Sequence, residues 1–177
     1  MKQKFSAICV SLLLVSFISH AQDSNPEAKL KELGIELFKP VPPVANYVKS
    51  VRVGNMVYLA GEGPVKPGGG YVTGKVGQDV TLDQAKDAAR LTAIALLSNL
   101  KAEIGDLSKV KRIVRVFGMV NAVDTFTQHP KVMNGCSDLL VQVFGENGKH
   151  ARAAVGMASL PNNISVEIEM IVELKEE

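Results

Sequence analysis

Two segments near the end of this sequence, Arg152 to Ala158 and Val166 to Glu173, alternate in side-chain character residue by residue, as half-buried β-strands require. Successive side chains of a strand leave opposite faces, so parity assigns each residue to a side. On the first strand Ala153, Val155 and Met157 form an apolar set, opposed by Arg152, Ala154, Gly156 and Ala158. On the second, Val166, Ile168, Met170 and Val172 are apolar, and Glu167, Glu169 and Glu173 oppose them. The Pro161-Asn162-Asn163 stretch between them reads as the turn of a final hairpin. If both apolar sets share one core, Arg152 and Glu167 emerge on the same side. The small residues Ala154, Gly156 and Ala158 would then be a floor with room above it for a ligand or another chain.

The rest of the chain supplies the elements such a pair needs. Asn25 caps a short helix with Pro26 at its first position and Gly34 at its end. Tyr47 to Val53 and Met56 to Ala60 read as strands around the Gly54-Asn55 turn. Thr81-Leu82-Asp83-Gln84 has capping-box spacing and opens a long helix that runs to Gly105, with Ala85, Ala88, Ala89, Leu96 and Leu100 at helical intervals. Val110 to Asn121 is a strand apolar on both faces, with Val114 and Val116 on one and Ile113, Phe117 and Met119 on the other. A second helix spans Pro130 to Gly145 with Val132, Leu139, Leu140 and Val143 inward, and a short additional strand is expected near Tyr71. In so short a chain helices cover one face of an open sheet, so another subunit is the natural cover for the second.

The first residues carry an export pattern. Lys2 and Lys4 precede the apolar run Phe5 to Ile18, and Ser19-His20-Ala21 offers small residues for a cut after Ala21. The run is too short for a comfortable span and lacks a stop-transfer charge cluster. The division expected is a signal peptide over 1–21, an N-terminal arm with a short helix over 22–43 and one domain over 44–177. The location expected is the periplasm or outside the cell, with no stable membrane span after cleavage. Removing 21 of 177 residues leaves 156, enough for one core, and 18 basic residues against 18 acidic ones. A neutral domain lacks the electrostatic footprint of a nucleic-acid binder. Cys9 leaves with the signal, so no internal disulfide is available to Cys136, which reads as a small buried thiol. His129 and His150 stand alone in sequence without ligand spacing, so neither a metal nor another cofactor is expected.

The pattern Arg-x-Ala-Val-Gly-x-Ala-x-Leu-Pro from Arg152, followed by Val166-Glu167-Ile168-Glu169, resembles the C-terminal signature of the Rid (YjgF-type) reactive-intermediate deaminases, also known as L-PSP endoribonucleases. Asn46-Tyr47-Val48 and Val53 to Gly61 resemble the family's N-terminal hairpin, and Met133-Asn134 falls where its second helix begins. The resemblance runs from about Val44 to Leu174. It implies an α+β, chorismate-mutase-like mixed sheet with two helices packed on one face, and a homotrimer with sites between subunits.

It also implies a chemistry, the hydrolysis of enamines and imines of amino acids to 2-oxo acids and ammonia. Arg152 would bind the substrate carboxylate through paired charge-assisted hydrogen bonds, and Glu167 would be the catalytic acid–base that orients water. Tyr47 and Asn134 match positions lining the family's interfacial cleft. One departure is Ala154, where well-studied members often have Cys. From the pattern alone, an Arg and a Glu on one polar strand face are more often a salt bridge, worth at most about 1 kcal/mol when exposed. Two other functions remain open beside the deaminase: a non-catalytic trimeric module that binds a small carboxylate or a protein, and, less favoured by the neutral charge, an endoribonuclease.

Overall fold

The computed structural model describes residues 25–43 and 45–176. The export pattern over residues 1–21 lies outside these. Asn25 accepts the backbone N–H groups of Glu27 and Ala28 at 3.0 and 3.2 Å and opens α1 (Pro26–Glu32). These bonds satisfy donors that the first turn of a helix cannot pair internally. After Gly34 the chain turns and runs back along the surface, where Phe38 N–H donates to Ser98 Oγ at 3.3 Å.

A hairpin follows, with β1 (Ser50–Val53) antiparallel to β2 (Met56–Glu62) around Gly54, whose φ of 61° suits a residue without Cβ. Regular pairing in β1 starts at Ser50 rather than Tyr47. The strand expected near Tyr71 is a single bridge to Val65. The capping box of α2 (Leu82–Ile104) forms as its spacing predicts: Gln84 N–H donates to Thr81 Oγ1 at 3.2 Å and Thr81 N–H to Gln84 Oε1 at 2.9 Å. Gly105, at φ 80°, ends it. The remaining elements are β3 (Val110–Asn121), α3 (His129–Phe144), β4 (Ala151–Met157) and β5 (Val166–Leu174).

The five strands lie in the order β1-β2-β5-β3-β4, all antiparallel to their neighbours except the parallel pair of β3 and β4 that α3 connects. This is an α+β architecture, with α2 and α3 on one face. Val57, Val116, Val120, Ile168, Met170 and Val172 meet Leu96, Leu100, Val132, Leu139, Leu140 and Val143 there, all fully buried. Burial of such side chains contributes about 1.5–3 kcal/mol each. The other face is open. Val51, Tyr58, Ile171 and Arg115 form a row across four strands on it, with Tyr58 45% and Val51 51% exposed.

Three sequence expectations are corrected by this topology. β4 and β5 are not a hairpin: β3 lies between them, and the connection passes over the end of β3, where Asn121 N–H donates to Ser165 O at 3.0 Å. Alternation reports parity but not which strand is the neighbour. The second correction follows from register. Arg152 pairs with Val116, which pairs with Met170, whereas Glu167 pairs with Met119, which pairs with Val155. Arg152 therefore shares the helix-covered face with the core, Glu167 lies on the open face, and the two do not emerge together. Third, the space above the small residues is occupied: a Cβ on Gly156 would stand 2.5 Å from His129 Nε2, and Ala154 packs against the core. In β3 an irregularity between Ile113 and Arg115 moves Ile113 to the buried side with Val116, leaving Phe117 and Met119 on the open one.

Candidate functional site

Although Arg152 is on the covered face, β4 is an edge strand, so its long side chain reaches past the flank of α3 and stays exposed. There it is clamped. Nη1 donates to Asn134 Oδ1 at 3.0 Å and Ser137 Oγ at 2.9 Å, and Nη2 to Pro130 O at 3.3 Å. A guanidinium has five N–H donors in a planar fork. Three bonds made through the Nη nitrogens leave Nε–H and one Nη–H, an arrangement that matches the two oxygens of a carboxylate. Asn134, expected to line an interfacial cleft, is in contact with Arg152.

Glu167 belongs to a second cluster on the opposite face. Its carboxylate lies against Gly61, whose missing side chain makes room for Oε1. Burial, then the like charges of Glu169 and Glu62, push its pKa above the usual carboxylate range. An acid whose affinity for protons is raised in this way is better matched to proton transfer near neutral pH. Nearby, Glu62 is buried beside the bulge of β2 and accepts from Lys49 Nζ at 2.6 Å and Asn99 Nδ2 at 2.7 Å. Burial opposes the Lys49 ammonium, but Glu62, with Tyr47 and Tyr71, more than offsets it and raises its pKa. Tyr47, 51% exposed, stands before β1 at the far edge of the sheet from β4. The four sequence-predicted residues therefore fall into two groups within one chain: Arg152 with Asn134, and Glu167 and Tyr47 away from them.

Sequence reasoning missed two residues of the first group. Ser137, besides accepting from Arg152, lies 3.0 Å from His150 Nε2, and His150 Nδ1 lies 2.7 Å from Gly148 O. A signal for both was present, since Ser137 is three residues after Asn134 on a helix and His150 two before Arg152 in an extended segment. Cys136 is fully buried, and burial pushes its thiol up to about 12, leaving it without nucleophilic character at neutral pH. Among the described residues no group of three His, Cys, Asp or Glu side chains could hold a metal ion.

Two hollows bear on where a ligand or partner could sit. One of about 790 Å³ lies between the arm and the end of α2, lined by Leu30, Ile35, Phe38 and Lys101, away from both charged clusters. The other, about 300 Å³, is a groove on the open sheet face formed by Val51, Tyr58, Arg115, Phe117, Glu169 and Ile171, with the Arg115 guanidinium 5.6 Å from the Phe117 ring centre. The second continues the face that carries Glu167.

Residues 27–174 match the family described as "YjgF/chorismate mutase-like, putative endoribonuclease". The chain is 42% identical over 148 residues to Protein TCP17 of Trypanosoma cruzi, covering 83% of this chain and 92% of that protein. It is 30% identical over 133 residues to the 2-iminobutanoate/2-iminopropanoate deaminase of Escherichia coli K12, covering 72% and 87%. Among solved structures, the protein Atu1372 of Agrobacterium tumefaciens, described as of unknown function, superposes with a TM-score of 0.79 at 46% identity, covering 86% of this chain and 96% of that one. A protein of Shewanella oneidensis MR-1 described as "a putative endoribonuclease" gives 0.82 at 32%, covering 85% and 99%.

Proposed function

The chain belongs to the YjgF/chorismate mutase-like family, and from that premise we propose that it is an exported deaminase that hydrolyses imines and enamines of small 2-amino acids to 2-oxo acids and ammonia. The observation that carries this reading is the Arg152 guanidinium, fixed on α3 by three hydrogen bonds with two N–H donors left for a carboxylate. The name of the 30% identical relative, a 2-iminobutanoate/2-iminopropanoate deaminase, supports the substrate class. Export rests on the pattern in residues 1–21.

In this reading three copies associate through their open sheet faces. The crevice between two copies joins the Arg152 cluster of one to the Glu167 cluster of the next. An apolar open face, with Val51, Val53 and Tyr58 exposed, favours such burial. Arg152 holds the substrate carboxylate and Asn134 keeps the guanidinium in place. Glu167 takes a proton from water as the water oxygen bonds to the imine carbon, returns that proton to the nitrogen, and then carries the proton of the new hydroxyl to the same nitrogen. The C–N bond breaks, ammonia leaves and the carbon becomes a carbonyl. Acid–base help of this kind is worth about 10²- to 10⁴-fold in rate.

The test is ammonia release from 2-iminobutanoate generated in the assay by an amino-acid oxidase. Release by the wild type that is lost in Arg152→Ala supports the reading, and equal release from both contradicts it. The separation of Arg152 from Glu167 within one chain favours a second reading, a module that binds a small carboxylate through the Arg152 cluster without turnover. It is distinguished by 2-oxobutanoate binding in a protein that releases no ammonia.

A further inference from the structure

His150 and Ser137 form a hydrogen-bonded chain whose direction can be worked out from donor and acceptor chemistry. Gly148 O only accepts, so His150 Nδ1, 2.7 Å away, carries the proton. The imidazole is neutral near pH 7, because burial first, and the charge of Arg152 with it, hold its pKa below the usual histidine value despite the Gly148 bond. With Nδ1 protonated, Nε2 is an acceptor, and the group 3.0 Å from it is the Ser137 hydroxyl. Ser137 therefore donates to His150. Its oxygen keeps its lone pairs for Arg152 Nη1 at 2.9 Å, and Arg152 can only donate. Every proton in the series has one consistent place, from Arg152 through Ser137 and His150 to Gly148.

We propose that His150 is a positioning residue for carboxylate capture: acting through Ser137, it fixes the Arg152 guanidinium on α3 with Nε–H turned outward. The proposal rests on the reading of Arg152 as the carboxylate anchor and adds to it a reason for the anchor's rigidity. Without an acceptor at Nε2, the Ser137 hydroxyl proton is free to turn toward other acceptors, and its lone pairs no longer stay aimed at Nη1. A long side chain on an edge strand then recovers rotamers that binding must freeze again. The polar groups that meet His150 come from each neighbouring element: Ser137 from α3, Gly148 O from the turn before β4, and Arg152 from β4 itself.

The experiment is calorimetric titration of the intact protein with 2-oxobutanoate, the product of 2-iminobutanoate hydrolysis. Expected results are loss of binding in Arg152→Ala, about tenfold weaker binding in His150→Phe, and binding within about twofold of wild type in His150→Gln, whose amide oxygen replaces the Nε2 acceptor. Ser137→Ala weakens binding as His150→Phe does, and the double variant loses no more than either, because both break one chain. If His150→Phe does not fold, Ser137→Ala against wild type decides alone. Undiminished binding in Arg152→Ala overturns the anchor reading and this proposal with it. Loss in Arg152→Ala with wild-type affinity in both His150→Phe and Ser137→Ala overturns the positioning role alone. Equal weakening in the Phe and Gln variants also overturns it, since ring packing rather than the acceptor would then matter.

Discussion

Arg152 and Glu167 point to opposite faces of one sheet, with β3 between their strands. Arg152 lies in the row Met170–Val116–Arg152, under the flank of α3, and Glu167 in the row Glu167–Met119–Val155 on the open face. A carboxylate substrate that touches both must therefore bridge two copies of the chain. In the proposed function, activity would therefore depend on assembly.

Arg152→Lys keeps the charge but loses the planar fork, both for the carboxylate and for the contacts to Asn134, Ser137 and Pro130. Hydrogen bonds to charged groups are worth about 1.5–3 kcal/mol, so kcat/KM should fall about 100-fold, mostly through KM. Steady-state ammonia release against imine concentration measures this.

In the proposed mechanism Glu167 is ionised when it accepts a proton from water, so its raised pKa should set an acid limb above the usual carboxylate range. Removing the like charge in Glu169→Gln makes ionisation easier. The limb should move to lower pH, while Glu32→Gln, exposed on α1, serves as a surface control. The pH dependence of kcat/KM gives the answer directly.

Phe117→Asp puts a charge in the apolar groove of the open face that Tyr58, Arg115 and Ile171 also line. Burying that charge against another copy is costly without a partner. Size-exclusion chromatography with light scattering should show dissociation, and activity should fall with it even though Phe117 belongs to neither charged cluster.

Gly135→Ala tests packing apart from chemistry. A Cβ there would collide with Lys86 O, where α3 packs against α2. Overpacking of this kind costs about 1–3 kcal/mol, and thermal unfolding should show it. Gly61→Ala presses instead on the Glu167 carboxylate, so its larger effect should be on turnover.

Local chemistry was legible in the chain. Thr81 and Gln84 announce the start of α2 and Gly105 its end, because capping depends on a few neighbouring residues. Asn134, expected only as a residue of an interfacial cleft, accepts a hydrogen bond from Arg152. What parity could not reveal was adjacency: alternation in β4 and β5 reads alike whether they pair or β3 is inserted between them. One irregular residue in β3 also exchanged the faces assigned to Ile113 and Val114. The small residues Ala154 and Gly156 pointed to space that His129, at the N-terminus of α3, fills. Long-range placement, not local propensity, separated the expected site into two halves.

The most direct test of a site shared between copies is complementation. Arg152→Ala and Glu167→Gln proteins, each inactive alone, are unfolded together at equal concentration, refolded and assayed for ammonia release. If Arg152 of one copy serves Glu167 of the next, random cyclic assembly restores an intact pair at about one site in four, and about a quarter of wild-type activity returns. No recovery from a mixture shown to contain mixed assemblies would mean that both residues act from the same chain, or that they do not act together, and would contradict the account.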